Sequence, residues 1–312
     1  MTPPVESAAS AAVHMPVLLS EAMEALAVRP GGRYVDGTFG RGGHSREIVR
    51  RGGEVLGIDR DDEAVAAAGD LRVVKGRHGN LKEIANENGW NEVDGVLLDL
   101  GVSSPQLDDA GRGFSFLRDG PLDMRMDRTC GASAADLVNG ESAERLAEIF
   151  REFGEEPASV RIARAIVKRR AQGGGVFSTT GELAEFVGRV VPRRGGRHPA
   201  TRVFQALRMA VNDELGELER ALAGGMALLK SGGRFVVIAF ESLSDRIVKR
   251  FFAAHVGRMV SLQQGGAEWV GERPRARAVT GRVVMAGRRE RMLNPRSRSA
   301  RMRAIERERD EV

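Results

Sequence analysis

A single cysteine, Cys130, stands among 312 residues. It can form no internal disulfide and has no cysteine partner at metal-ligand spacing, which argues against a disulfide framework and a structural zinc site. Long apolar runs are missing too. The most hydrophobic segments, Gly95 to Leu100 and Phe235 to Phe240, are strand-sized rather than membrane-sized. Near the N-terminus Glu6 replaces the basic residues of a leader peptide, and no apolar stretch follows it. A cytoplasmic protein without membrane contact is the expectation. Nor is there a strong excess of one charge: 48 Lys and Arg against 43 Asp and Glu leave +5, weak evidence by itself for a polyanionic partner.

What is present belongs to a globular chain, 42% hydrophobic and 29% charged, and longer than one ordinary core requires. One large domain with an insertion, or two unequal domains, is expected. The charges are unevenly spread. From Gly271 to Val312 there are 13 arginines against 6 acidic residues, and Arg161, Arg164, Lys168, Arg169, Arg170 and the stretch Arg193, Arg194 and Arg197 form a second basic cluster. Arginine forks suit phosphate contacts, although a solvated surface with a frayed tail would look similar.

Residues 1–12, rich in Ala and Ser, read as a disordered lead-in before a helix that runs to Leu26 and ends at Arg29-Pro30-Gly31-Gly32. Strand and helix patterns then alternate: strands at Arg33 to Asp36, Glu54 to Asp59, Leu71 to Lys75 and Asp94 to Leu100, with helices at Ser45 to Arg51 and Asp62 to Ala68. Near-continuous apolar strands in such an alternation predict an α/β fold with a mostly parallel, doubly wound sheet covered on both faces. A loop from Gly101 to Cys130 and helices near Ala143 to Phe153, Ala158 to Ala171 and Thr180 to Val191 interrupt it. The sheet is therefore split, with a core at 13–108 and 200–312 and a loop plus helical insertion at 109–199. A long helix from Thr201 to Leu229, broken at Gly224-Gly225, leads to the strand Arg234 to Phe240. Further strands, Val279 to Met285 among them, are expected before an arginine-rich end.

The sharpest local signal is Tyr34-Val35-Asp36-Gly37-Thr38-Phe39-Gly40-Arg41-Gly42-Gly43-His44, a strand that runs through glycines into a helix. Glycine lets backbone approach a nucleotide-like ligand closely. Nineteen residues past Gly40, at the end of the next strand, Asp59 is placed to accept hydrogen bonds from a ribose diol. Both features agree with an adenosine-containing cofactor. A dinucleotide fingerprint would carry a third glycine where Ser45 stands; S-adenosylmethionine has no pyrophosphate to cradle and tolerates a looser turn with an acidic residue such as Asp36 nearby. The fourth strand ends in Asp99-Leu100-Gly101-Val102-Ser103-Ser104-Pro105-Gln106, which brings Asp99 and Gln106 to the same crevice. That loop resembles the Ser/Asp/Asn-Pro segment with which amino methyltransferases hold an exocyclic amine. Acceptors there would turn the amine towards the sulfonium methyl, a task of alignment that needs no metal. Ser103, Ser104 and Asp36 are the candidates for orienting it.

The longer runs resemble one family. His14-Met15-Pro16-Val17-Leu18-Leu19, Asp36 to His44, Leu97 to Phe116, Gly120 to Asp127, Gly154-Glu155-Glu156, Arg161 to Ile166, His198-Pro199-Ala200-Thr201-Arg202 and Asn294-Pro295-Arg296-Ser297-Arg298-Ser299 are similar to the bacterial 16S ribosomal RNA cytosine-N4 methyltransferases, the MraW or RsmH family. The resemblance spans nearly the whole chain. It implies a Rossmann-like class I methyltransferase core with a helical insertion that holds RNA, S-adenosylmethionine as cofactor, and methylation of a cytosine in the decoding region of the small ribosomal subunit. By the same resemblance Gly42, Gly43 and His44 form the cofactor turn, Asp59 holds the ribose, and Asp99 and Gln106 lie near the adenine or methionine end. Two positions depart from the family pattern. Leu81 stands where a phenylalanine usually covers the adenine, and Glu241 replaces the histidine of a Phe-His-Ser-Leu segment. Phe114 and Phe116 are open to two readings, base stacking or anchoring of a loop. A DNA amino methyltransferase, an NAD-dependent oxidoreductase and a non-catalytic RNA-binding assembly factor are the competing functions. Oligomeric state, a homodimer included, and the acceptor of the amine's proton stay open.

Overall fold

The computed structural model describes residues 16–191, 196, 198–264 and 266–309. The lead-in at 1–12, His14, Met15, Arg193, Arg194 and Arg197 lie outside the described residues. Nine strands are present among those described: β1 (Arg33–Asp36), β2 (Glu54–Asp59), β3 (Val73–Lys75), β4 (Val93–Asp99), β5 (Leu229–Ala239), β6 (Arg258–Ser261), β7 (Ala267–Val270), β8 (Ala276–Ala278) and β9 (Arg301–Arg307). The helices are α1 (Leu19–Leu26), α2 (Gly43–Arg50), α3 (Asp62–Ala66), α4 (Leu81–Glu87), α5 (Ser104–Asp108), α6 (Ala134–Gly140), α7 (Ala143–Glu152), α8 (Ser159–Ala171), α9 (Thr180–Val190), α10 (Ala200–Val211), α11 (Glu214–Leu228), α12 (Ser242–Val256) and α13 (Arg288–Leu293).

Seven strands form one sheet in the order β3-β2-β1-β4-β5-β9-β8. β1 to β5 pair in parallel, whereas β9 runs antiparallel to both β5 and β8. The chain winds outward from β1 to β3 and then crosses to β4, so a crevice opens between the carboxyl ends of β1 and β4, where the winding reverses. Strand period accounts for both faces. Leu56, Ile58, Val96, Leu98 and Val237 pack with α4, α11 and α12, while Val55, Leu97, Val236 and Ile238 pack with α1 and α2.

A second core, separate from the sheet, is made by the helices between β4 and β5. Phe150, Ile162, Phe177, Leu183, Phe204 and Leu207 are among its buried residues. Helix α10 shares this core, so the seam expected at 199/200 falls in the packing at Asn212 and Asp213. The expected long helix breaks there as well, with Asp213 in the left-handed region at φ 49°. Gly224 and Gly225 lie inside α11 instead. A Cβ on Gly225 would meet the Phe235 ring at 2.6 Å, so the glycine serves close packing of helix on sheet rather than termination.

The expected strand at Val279 to Met285 is also corrected. Within it Val284 makes an isolated bridge to Met302, and the edge strand is β8. The arginine-rich end holds β9. Part of its charge is paired: Arg303 donates to Asp245 at 2.7 Å and Glu306 receives Arg234 at 3.0 Å. The strand's Met302, Ala304 and Ile305 are buried.

Asn212 joins the two cores. Its amide accepts from Met126 N at 2.9 Å and donates to the carbonyls of Met124 and Arg208, each at 2.8 Å, and its own carbonyl accepts from Arg60. Asn212→Ala would strand the Met126 N–H and the Met124 carbonyl, which its side chain serves, and is expected to lower stability by about 2–3 kcal/mol in urea unfolding. A loss below about 0.5 kcal/mol would mean that the joint holds without it.

Candidate active site

A cavity of about 400 Å³ lies at the carboxyl ends of β1, β2, β4 and β5. Its floor is the turn after β1. Gly40 and Gly42 have φ of 55° and 70°, conformations that cost little only without a Cβ. Gly43, the first residue of α2, is pressed so closely that a Cβ there would lie 2.3 Å from Pro16. Gly43 and His44 line the cavity; Gly42 caps the helix behind them, packed on the Phe39 ring.

Asp59 ends β2 at the cavity wall. Its two carboxylate oxygens each accept one backbone N–H, from Gly40 at 2.8 Å and Asp61 at 2.9 Å, which fixes the group and leaves further lone pairs for a ligand. Burial raises its pKa, against the pull of those two bonds.

Asp99 ends β4 on the other side of the crevice and also lines the cavity. One of its oxygens, Oδ1, is buried without a hydrogen-bond partner among the described residues, and Oδ2 lies 3.8 Å from His44 Nδ1. Burial, and then the nearby Asp36 carboxylate, push its pKa up to about 8. The expected companion, Asp36, is held differently. Its oxygens accept from Ser45 Oγ at 2.6 Å and Thr38 N at 3.2 Å, and it is not among the lining residues. Burial pushes its pKa up to about 6 despite those bonds. The structure therefore places Asp36 as a brace under the turn, a position at odds with direct contact with a substrate amine.

The loop after β4 closes over the cavity, where Ser103, Ser104 and Gln106 are brought together. Gln106 accepts from Ser103 N at 2.9 Å and donates to Asp61 at 2.7 Å. Asp61 in turn receives Arg112 at 2.8 Å, which ties the loop to α3.

Leu81 departs from its expected place. It is fully buried in the sheet's core, and the cavity wall beyond β3 consists instead of Ala64, Gly76, His78 and Leu218. Helix α4 begins at this residue, so its side chain is spent on packing rather than on the cavity. Leu81→Phe would overfill that core and is expected to cost about 1–3 kcal/mol in thermal unfolding while leaving donor affinity within about threefold. A clear gain in affinity would restore the adenine-cover role.

Other residues complete the lining. His78, which opens the segment that ends at the family-variant Leu81, is held neutral by burial and the neighbouring Arg60, with its pKa down to about 4. Arg208, Glu214 and Glu241 form a second wall, and Asn294, Arg296 and Ser299 arrive from the far end of the sequence. Of these, Glu241 and the Asn294 to Ser299 run had sequence signals; Arg208 and Glu214 had none. Phe114 is buried, and Phe116 packs tilted against His198 and edge-on against Phe204 at centroid distances of 4.9 and 4.8 Å, the loop-anchor arrangement. The basic cluster is partly structural: Arg170 donates to the carbonyls of Val138 and Glu141, and Arg169 lies 4.1 Å over Phe177, whereas Arg164 and Lys168 are exposed. Among the described residues no group of His, Cys, Asp and Glu could hold a metal ion, and no helix is long and apolar enough to cross a membrane.

Strand order, the reversed strand β9 beside β5 and a cleft with acids at the ends of β2 and β4 define a Rossmann-like class I methyltransferase. The chain belongs to the MraW methylase family, whose model matches residues 11–308, and its cofactor is S-adenosylmethionine. It is 48% identical to "Ribosomal RNA small subunit methyltransferase H" of Trichlorobacter lovleyi over 94% of this chain and 97% of that one. A protein of the same name from Methylobacterium sp. (strain 4-46) is 51% identical over 96% and 92%. Among solved structures, TrmN from Thermus thermophilus is similar at a TM-score of 0.40 and 13% identity, covering 93% of this chain and 48% of that one.

The residues present fit that cofactor. A cavity of about 400 Å³ suits a ligand of its class, Asp59 offers acceptors to ribose hydroxyls, and the orphaned oxygen of Asp99 awaits a cationic donor.

Proposed function

We propose that the protein methylates the exocyclic N4 of a cytosine in 16S ribosomal RNA of the small subunit, in the decoding region. The observation that carries this reading is the Asp99-to-Gln106 loop, which lines one cavity with Asp59, Gly43 and His44; it supports a site in which a segment resembling the amine-holding loops of amino methyltransferases faces the donor. Two relatives about half identical over nearly full length, each named for the small-subunit RNA, support the substrate class.

S-adenosylmethionine supplies an electrophilic methyl on a sulfonium. This chain's part is to bind, align and exclude water. Asp59 would hold the ribose and Asp99 the ammonium of the methionine end, with Gly43 and His44 forming the turn beneath. Gln106 would hold the loop in place through Ser103 and Asp61, leaving Ser103 and Ser104 to orient the target amine. The helical insertion, with Arg164 and Lys168 on its surface, would hold RNA.

The reading is tested in a bacterial strain lacking its own enzyme for this methyl. Expression of the chain should restore N4-methylated cytidine to 16S RNA, detected by nucleoside mass spectrometry, and Asp99→Ala should not. A stably expressed wild-type chain that restores nothing would favour a non-catalytic assembly role.

A further inference from the structure

Away from the donor end, three charged residues from two helices and the start of a third form one wall of the cavity. Arg208 lies near the end of α10, Glu214 opens α11 and Glu241 precedes α12. Glu214 grips the guanidinium through Nε and Nη2 at 2.7 and 2.9 Å, and Nη2 also donates to Glu241 Oε1 at 2.8 Å. Their side chains are only 11%, 11% and 14% exposed, in the order Arg208, Glu214, Glu241. The pair is thus fixed in orientation before any ligand arrives.

Among the described residues, Arg208 Nη1 and Glu241 Oε2 take no protein partner in this arrangement. The wall therefore offers one fixed N–H donor beside one fixed carboxylate acceptor. Their position at the end of β5 is next to the end of β4, where the amine-binding loop begins.

We propose that Arg208 and Glu241 read the Watson–Crick edge of the target base. Glu241 accepts a hydrogen from the exocyclic amine, and Arg208 donates to the ring nitrogen beside it. Cytosine shows that order of donor and acceptor. Uracil reverses it, setting a carbonyl oxygen against the carboxylate and an N–H against the guanidinium. The pair would select cytosine and at the same time fix the rotation of its amine, leaving the second amine hydrogen to the Ser103–Ser104 loop. Glu214 acts through Arg208 as a positioning residue. This inference rests on the base-methylation reading above.

The test uses the full-length protein and small subunits carrying either cytosine or uracil at the position that gains the methyl. With S-adenosylhomocysteine bound, wild type should prefer the cytosine form by at least about tenfold, since a site built for one edge leaves its polar groups unpaired against the other. Glu241→Gln should lower transfer about 30-fold and cut that preference below about threefold. Its calorimetric affinity for S-adenosylhomocysteine should stay at the wild-type value, and Arg208→Lys should likewise lose the preference. A Glu241→Gln protein that keeps both rate and preference overturns the inference; so does one that loses S-adenosylhomocysteine binding in parallel, because the pair would then be structural. If wild type itself methylates no cytosine, the parent reading fails instead.

Discussion

Asparagine in place of Asp99 is expected to weaken S-adenosylmethionine binding about 30-fold, the worth of a charge-assisted hydrogen bond, and to cut methyl transfer at limiting donor by the same factor. The free protein should respond in the opposite sense. Asp99 has its pKa pushed from the usual carboxylate range up to about 8 by burial and by Asp36. Below about pH 4 the carboxyl is protonated in folded and unfolded chains alike, and above about 8 it is ionised in both. Between these limits the unfolded chain releases a proton that the folded one retains, so stability falls as pH rises through the window. Asp99→Asn removes that slope. Its melting temperature should exceed that of wild type at pH 8 and match it near pH 4, a gain in stability bought with lost binding. A variant that melts lower than wild type at pH 8 would show that the carboxyl is satisfied in the folded protein.

Arg112→Met should damage the fold and the site together. Arg112 is 2% exposed and donates to Asp61 at 2.8 Å, to Glu63 at 3.2 Å and to the Met126 carbonyl at 3.0 Å. Methionine keeps the apolar stem but leaves the buried Asp61 carboxylate without its cation, at a cost of about 3–5 kcal/mol. Asp61 also anchors Gln106, so the loop after β4 loses its fixed position. Urea unfolding and donor titration should therefore shift in the same variant. Stability within about 1 kcal/mol of wild type would mean that Gln106 and solvent suffice for Asp61.

The parts of this site that were legible in the chain share one property: they follow local rules. Asp59 and Asp99 end apolar strands, and in an open parallel sheet strand ends face the crevice. The glycines after β1 announce a close approach. Asp36, by contrast, sits in the same motif as Gly43 but points to Ser45 and Thr38, a difference of side-chain direction that spacing along the chain does not encode. Leu81 misled because a family position was mapped onto a side chain that this sequence buries in its core.

Long-range partners were hidden for a related reason. Arg208 meets Glu241 across 33 residues and Glu214 around the turn at Asp213, and no single window contains all three. Strand β9 was obscured by its charged residues, whose partners come from other elements: Arg303 meets Asp245 of α12, and Glu306 receives Arg277 of β8. The Gly224-Gly225 pair carried a breaker signal that tertiary packing against Phe235 overrode.

The central claim is most directly tested by incubating the purified chain with labelled S-adenosylmethionine and small subunits from cells lacking this methyl, then digesting the RNA to nucleosides. The account predicts label confined to N4-methylated cytidine of 16S RNA. Label in another nucleoside, or none despite measurable donor binding, would contradict it.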